Sequence, residues 1–216
     1  MIIAIDGPAG SGKSTVAKIL AERLGFLYID TGAMYRAITL KAIEQKINIS
    51  DSDLLVKIAR ETAVELLEQD GVLKVYLDGC EVTKQIREPR VTRFVSDVAK
   101  IKGVREVMLK LQRGLGRKSD SVLEGRDIGT VVFPDADKKF YLDAKFDVRV
   151  DRRYKELKET SSQVKCEEVA GDLHNRDTID SSREFAPLKK AEDAVYIDTT
   201  SLGIEEVVEA VLSYLN

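Results

Sequence analysis

The sequence predicts an α/β fold, a central parallel β-sheet flanked by helices, with a small hairpin-containing insertion. Three observations carry this. The Ile-rich run at residues 2–6 passes straight into a glycine-rich loop; a helical pattern follows the loop; a second apolar run, residues 26–29, follows the helix. Strand, glycine loop, helix, strand opens a βαβ unit, and such units build parallel sheets. At 216 residues the chain suits one domain with room for an insertion and is large enough to bury a core without staples.

Each element follows from its pattern. Val16, Ala17, Ile19, Leu20 and Leu24 recur at helical spacing, and Gly25 stands where a C-cap glycine belongs. Asp30-Thr31-Gly32 reads as a loop before a helix that runs to about Lys46, and Asp51 and Asp53 as caps of a short helix. Residues 63–67 and 72–77 read as strands facing each other across Gln69-Asp70-Gly71, a hairpin signal that places an inserted subdomain at about 58–92. Helices near 90–100 and 102–116 carry Ser96 and Arg105, and residues 121–123 and 139–142 return to the sheet. Residues 147–160 read as a polar helix, 160–165 as a mobile loop, 194–197 as a last strand and 204–215 as a closing amphipathic helix. With no repeat and no low-complexity tract, residues 1–216 form a single domain.

Composition narrows the class. A chain 44% apolar and 33% charged is neither disordered, collagenous nor membrane-embedded, and it has no apolar run of the ~18 residues a span requires. Residues 1–6 lack the basic stretch of a signal peptide. Cys80 and Cys166 make no disulfide framework or metal pattern and read as inert thiols, while the lone His174 argues against a multi-histidine site. With 34 basic against 37 acidic side chains, the net charge of −3 gives no pull toward nucleic acid. A cytoplasmic monomer, bound to neither membrane nor nucleic acid, is expected.

Gly7-Pro8-Ala9-Gly10-Ser11-Gly12-Lys13-Ser14 fits G-x-x-x-x-G-K-[ST], the P-loop, with Thr15 continuing into the helix. Glycines let successive backbone N–H groups face the β- and γ-phosphates, and the helix end adds its positive dipole. Lys13 supplies a charge that follows the transferring phosphoryl group, and Ser14 offers a hydroxyl to Mg²⁺. The context of strand before and amphipathic helix after makes nucleoside triphosphate binding the expected role.

Residues beyond the loop narrow the kind of P-loop protein. No N-K-x-D base-reading motif of a GTP switch occurs, and the strand near Val122-Leu123 ends in Glu124-Gly125-Arg126-Asp127, whose loop offers an arginine rather than an evident water-activating aspartate. Arg149, Arg152, Arg153, Arg176 and Arg183 gather late in the chain around a polar loop. Singly such arginines are surface charges; together they suggest a lid, about 149–180, that closes over phosphates.

These stretches resemble the bacterial cytidylate kinase family of nucleoside monophosphate kinases. The likeness rests on the P-loop, on Asp30-Thr31-Gly32-Ala33-Met34-Tyr35-Arg36, and on Ser96 followed by Val104-Arg105-Glu106. It rests most specifically on G-R-D-I-G-T-V-V-F-P at 125–134 and on Arg176-Asp177-Thr178-Ile179-Asp180-Ser181-Ser182-Arg183. Glu124 stands where the family often has Asp, with the acceptor chemistry unchanged. The resemblance implies a P-loop kinase that phosphorylates CMP and dCMP with ATP and Mg²⁺, the insertion and the helices after it forming the CMP side. It places Ser96, Arg105 and Asp127 on cytosine, whose N4 needs an acceptor such as a carboxylate. It places Arg176 and Asp180 on the sugar hydroxyls, Arg183 on the phosphate, and Arg152 or Arg153 at the γ-phosphoryl group. Arg36, one turn into its helix, and Arg126 fork onto phosphate.

Plainer readings stand beside these. Asp30-Thr31 serves as a helix N-cap, Asp127 as an ion pair orienting Arg126, and the 176–183 charges as a surface ladder. Tyr35 and Phe133 read more readily as core than as stacking platforms. The competing functions are another small-molecule kinase (acting on UMP, AMP, shikimate or dephospho-coenzyme A) and a P-loop ATPase with a macromolecular partner.

Overall fold

A computed structural model describes residues 1–69, 72–160 and 164–215. Asp70 and Gly71 of the expected hairpin turn, and residues 161–163 of the expected mobile loop, lie outside the described residues. The main sheet holds five parallel strands: β1 (Ile2–Asp6), β2 (Leu27–Asp30), β6 (Ser121–Gly125), β7 (Lys138–Asp143) and β8 (Val195–Asp198). Their order is β2-β6-β1-β7-β8. From central β1 the chain runs outward to β2, returns to β6, then crosses to β7, so the carboxyl ends of β1 and β6 open the ligand crevice usual at such a switch point.

Helices cover both faces, which is why β1 reads as an unbroken apolar run: Ile3, Ala4 and Ile5 are fully buried. On one face α1 (Lys13–Leu24) and α8 (Ile204–Leu212) bury Val16, Leu20, Val207 and Val208 against Ile3, Ile5 and Phe140. Gly25 ends α1 at φ 67, and the Phe26 N–H caps the Ala21 carbonyl at 2.9 Å. That capping turn delays β2 by one residue relative to the apolar run. On the other face α2 (Thr31–Glu44), α4 (Pro89–Ala99) and α5 (Lys102–Gly116) enclose Ile29, Met34, Ile38, Met108 and Phe133.

After α2 comes α3 (Ser52–Glu61), capped by Asp51, whose carboxylate accepts from the Leu54 N–H at 3.0 Å. Strands β3 (Val64–Gln69) and β4 (Val72–Leu77) pair antiparallel, and β5 (Cys80–Glu81) adds a short third strand. Its turn is set by Asp78 and Gly79, both at positive φ, with Asp78 accepting from the Ala63 N–H at 2.9 Å and pairing with Lys41 on α2. The hairpin has no core of its own: Val64, Leu66, Val75 and Leu77 join the apolar cluster under α2.

Beyond β7, α6 (Phe146–Thr160) and α7 (Cys166–Ser182) pack Val150, Val169 and Leu173 around Ala9 of the phosphate loop. Helix α7 carries the Arg176–Ser182 stretch, with Arg183 at its C-cap, a helix whose boundaries are not legible in the sequence. Among the described residues no helix is long and apolar enough to cross a membrane. Cys80, Cys166 and His174 are exposed.

Met34 is fully buried between the insertion and the sheet. Met34→Ala leaves a cavity there and is expected to lower stability by about 2–5 kcal/mol, read as a lower urea midpoint at unchanged slope.

Candidate active site

The phosphate loop leaves β1 under severe steric limits. A Cβ at Gly7 would run into the Leu142 carbonyl, and at Gly10, φ 77, it would stand 2.9 Å from the Arg149 carbonyl oxygen. Arg149 braces the loop from behind. Its Nη1 donates to the Ala9 carbonyl at 3.1 Å and to Asp177 at 2.6 Å, and its Nε to the Ala144 carbonyl at 3.1 Å. This member of the late arginine group is therefore a strut and not a lid contact.

Lys13 is buried, its Nζ donating to the Pro8 carbonyl at 3.1 Å and lying 3.9 Å from Glu124. Burial, then the like charge of Arg126, push its ammonium down to about 8 against the pull of Glu124. Ser14 is exposed to the cleft and donates to Glu124 Oε1 at 2.6 Å. Burial raises the Glu124 carboxyl above its usual range. Tyr28 donates to the same oxygen at 3.4 Å. The structure gives Glu124 a site role that the sequence had not assigned it: next to last in β6 and in parallel register beside Ile5 of β1, its carboxylate faces Lys13 and Ser14.

A cleft of about 970 Å³ runs from this loop to the α4–α5 wall, which Ser96 lines. There Asp127 Oδ2 accepts from Arg105 Nη2 at 2.6 Å and Oδ1 from Arg183 Nη2 at 3.4 Å, all three side chains being buried. Arg105 also donates to the Ala99 carbonyl at 3.1 Å and lies 5.2 Å from the Tyr35 ring centre, while its Nε is buried without a partner. Arg183 Nε donates to the Ala186 carbonyl at 2.6 Å.

Between these two ends sit the other arginines. Arg126 Nε donates to Asp180 at 2.9 Å, so the carboxylate that orients Arg126 is Asp180 and not Asp127. Burial opposes ionisation of Asp180, but Arg126, Arg183 and Arg176 outweigh it and hold its carboxyl below the usual range. Arg36 donates to Thr92 at 2.9 Å, and the Arg176 Nε is buried without a partner. Burial and the charges of Arg126 and Arg153, together with their own mutual repulsion, hold Arg36 and Arg176 below the ordinary guanidinium range. A guanidinium does not deprotonate in a protein, so this strain expresses a demand for an anion.

The expected residues thus converge on one cleft. Arg183 pairs with Asp127 beside Arg105 and lies 3.8 Å from Asp180, the partner of Arg126, whereas Arg176 feels the charges of Arg36 and Arg126. Asp30 does cap α2, its Oδ1 accepting from Ala33 N–H at 2.9 Å, while Oδ2 lies 3.4 Å from Arg87. The Thr31 hydroxyl is committed to the Glu124 carbonyl at 2.7 Å. Arg152 donates to the Thr199 carbonyl at 2.6 Å, and Arg153 pairs with Glu156 at 2.7 Å. Phe133 is core; Tyr35, though buried, also lines the cleft. Sequence reading missed Glu124, Arg87 and the wall of Leu202, Ile204 and Val207 beside Thr15. Only Glu124 carried a signal, as the acid ending an apolar strand; the others lie in irregular or amphipathic stretches.

A phosphate loop after β1, a carboxylate on the adjacent strand β6 and arginines converging from α2, α5, α7 and the loop after β6 define a P-loop kinase. Known proteins agree and narrow it further. The pattern of the cytidylate kinase family matches residues 3–216. The cytidylate kinase of Caldanaerobacter subterraneus subsp. tengcongensis is 52% identical over 209 residues, 97% of this chain and 92% of that protein. The cytidylate kinase of Clostridioides difficile is 49% identical, covering 100% of this chain and 98% of that protein. The chain belongs to the cytidylate kinase family. A gluconokinase structure from Sinorhizobium meliloti aligns at TM-score 0.50 and 15% identity, over 99% of this chain and 91% of that one, a likeness of fold alone.

The lowered Lys13 makes a testable link to pH. Its folded value near 8 lies below its unfolded value near 10.5, so this group's contribution to the stability of the unliganded protein rises with pH between them. A polyphosphate bound against Lys13 draws the value back up, so binding ATP at pH 8.5 is expected to take up protons. Calorimetry in buffers of different ionisation enthalpy measures this; uptake that persists undiminished in Lys13→Met would remove Lys13 as its source.

Proposed function

We propose that this protein transfers the γ-phosphoryl group of ATP to a phosphate oxygen of CMP or dCMP. The observation that carries the reading is the buried Arg105–Asp127–Arg183 group at the far end of the cleft that begins at the P-loop. A carboxylate accepts from cytosine N4 and a guanidinium donates toward N3 and O2, so Asp127, Arg105 and Ser96 match a cytosine edge. Asp180 and Arg183 then lie beside the sugar, and Arg36, Arg126 and Arg176 beside the acceptor phosphate. The insertion forms the acceptor side and α6–α7 the lid, within one kinase domain.

The chemistry needs little beyond positioning. The attacking phosphate oxygen is already anionic, so no strong general base is required, and transfer proceeds in line. Lys13, Arg126 and the lid residues Arg152 and Arg153 neutralise the charge that builds on the transferred group. The backbone N–H groups of the P-loop residues 7–15, Pro8 excepted, hold the β- and γ-phosphates, and the wall of Leu202, Ile204 and Val207 suits the donor's base. Ser14 and Glu124 offer a hydroxyl and a carboxylate, hard oxygens of the kind Mg²⁺ accepts. Among the described residues no three His, Cys, Asp or Glu side chains cluster as a metal cage. Ser14 and Glu124 would hold Mg²⁺, which would supply positive charge against the developing phosphate charge. Closing α6–α7 over the cleft excludes water and limits idle ATP hydrolysis.

Two variants test the reading. Lys13→Ala is expected to lower kcat on the order of 100-fold with little change in melting temperature; near wild-type turnover would remove the P-loop lysine from the mechanism. Asp127→Asn turns an acceptor into a donor, which suits uracil O4 and opposes cytosine N4. The ratio of kcat/KM for CMP over UMP is expected to fall roughly 10- to 100-fold. An equal loss toward both nucleotides would assign base reading to Arg105 and Ser96 instead.

A further inference from the structure

Asp6 has no part in the chemistry above, yet it is a carboxylate buried at the heart of the molecule, 4% exposed. It ends β1 immediately before Gly7, in register with Gly125 on β6 and Tyr141 on β7. Its two oxygens accept from the backbone N–H groups of Ile128 and Gly129, each at 2.8 Å. Those are the first N–H groups of a wide turn, Ile128–Val132, closed by bonds from Val132 N–H to the Asp127 carbonyl at 3.1 Å and from Phe133 N–H to the Ile128 carbonyl at 2.7 Å.

At the start of such a turn the preceding residue normally takes the orphan N–H groups with its own side chain, and aspartate is among the residues best suited to do so. Asp127 occupies that position but makes no cap bond. Its carboxylate points instead to Arg105 and Arg183 in the cleft. The capping acid comes from the neighbouring strand.

We propose that Asp6 is a positioning residue for acceptor choice: by capping the Ile128–Val132 turn across the sheet, it releases the Asp127 carboxylate into the cleft, where Asp127 meets the acceptor's base. The inference rests on the reading that Asp127 accepts from that base. Its location supports a positioning role, because burial pushes the Asp6 carboxyl up to about 7 in spite of the two N–H bonds. The titratable groups that face it are Asp127 and Arg126 from the β6 loop and Tyr141 from β7, with the stem of Lys139 packed over Gly129. A core acid kept in so unfavourable a setting is retained for what it holds.

The test is Asp6→Asn in the full chain. The amide keeps one acceptor and turns an N–H donor toward the other backbone N–H, so the turn loses half its cap and draws Asp127 back. Selectivity for CMP over UMP is expected to fall about 10-fold, through a higher KM for CMP, with the KM for ATP changed less than about 2-fold. In an Asp127→Asn background, Asp6→Asn is expected to cause no further loss of selectivity, because both changes act through one carboxylate. If Asp127→Asn abolishes selectivity and Asp6→Asn leaves it intact, the inference is overturned while the reading of Asp127 stands. If Asp127→Asn leaves selectivity unchanged, the underlying reading fails and the inference with it. Equal losses for CMP and UMP with a raised KM for ATP would make Asp6 a brace of the phosphate loop only. Should the variant not fold, the wild-type protein decides by NMR. The Ile128 and Gly129 amide protons and the Asp127 carboxyl carbon should shift with the Asp6 carboxyl titration; an Asp127 signal indifferent to Asp6 overturns the proposal.

Discussion

Lys13, Arg36, Arg126 and Arg176 share one buried cleft, and their mutual repulsion is the constraint around which the rest of the molecule is arranged. Two like charges roughly 6 Å apart in a medium of effective dielectric near 20 repel by about 3 kcal/mol. Burial strips away the water that would soften this. The protein's carboxylates offset only part of it, since Asp180 and Glu124 are each divided between two or more cations. A ligand with several negative oxygens would complete the balance, and on the proposed reading two phosphate-bearing nucleotides supply them.

Holding such a cluster together requires a frame that does not yield. The parallel sheet gives it, because β1 and β6 lie side by side with both faces sealed by helices, and their carboxyl ends deliver the phosphate loop and the Glu124–Asp127 segment to adjacent points. Helices α6 and α7 are tied into the same frame. Ala9 of the phosphate loop packs among Val150, Val169 and Leu173, and Arg149 joins its carbonyl to Asp177. Any shift of α6 and α7 is therefore felt at the phosphate loop. The insertion is bound less by polar ties than by its share of the core beneath α2.

How much of this the sequence carried depends on where each signal resides. The phosphate loop, its flanking strand and helix, and the antiparallel hairpin are local patterns, and residues 2–24 and 64–77 show them with periods of 3.6 and 2. The strand order was not legible, because a βαβ pattern does not say that β6 enters between β1 and β2. Strand β5 is two residues long, too short for any period. In the site, residue types were legible but their pairings were not. Sequence spacing set Asp127 beside Arg126, whereas adjacent residues on an extended segment point apart, and Asp180 on α7 reaches Arg126 from across the cleft. Likewise Arg176 and Arg183 share one short segment yet join different ends of the cleft, because Arg183 stands at the C-cap of α7, where the chain leaves the helix.

A division of labour among the acids explains why the arginines remain free for ligands. Asp30 caps α2, Asp6 caps the turn after Asp127, Asp177 fastens Arg149, and Asp180 aims Arg126. Each takes up a backbone or guanidinium donor and fixes its direction, as Asp180 does for Arg126. Were Asp6 absent, Asp127 would be the nearest acid able to satisfy the Ile128 and Gly129 N–H groups, and in doing so would leave Arg105 buried without its partner. A buried cation stripped of its partner is far costlier than a turn with a borrowed cap. On the reading proposed above, the acid before the phosphate loop serves the opposite end of the cleft, and the two halves of the site are built on one pair of neighbouring strands.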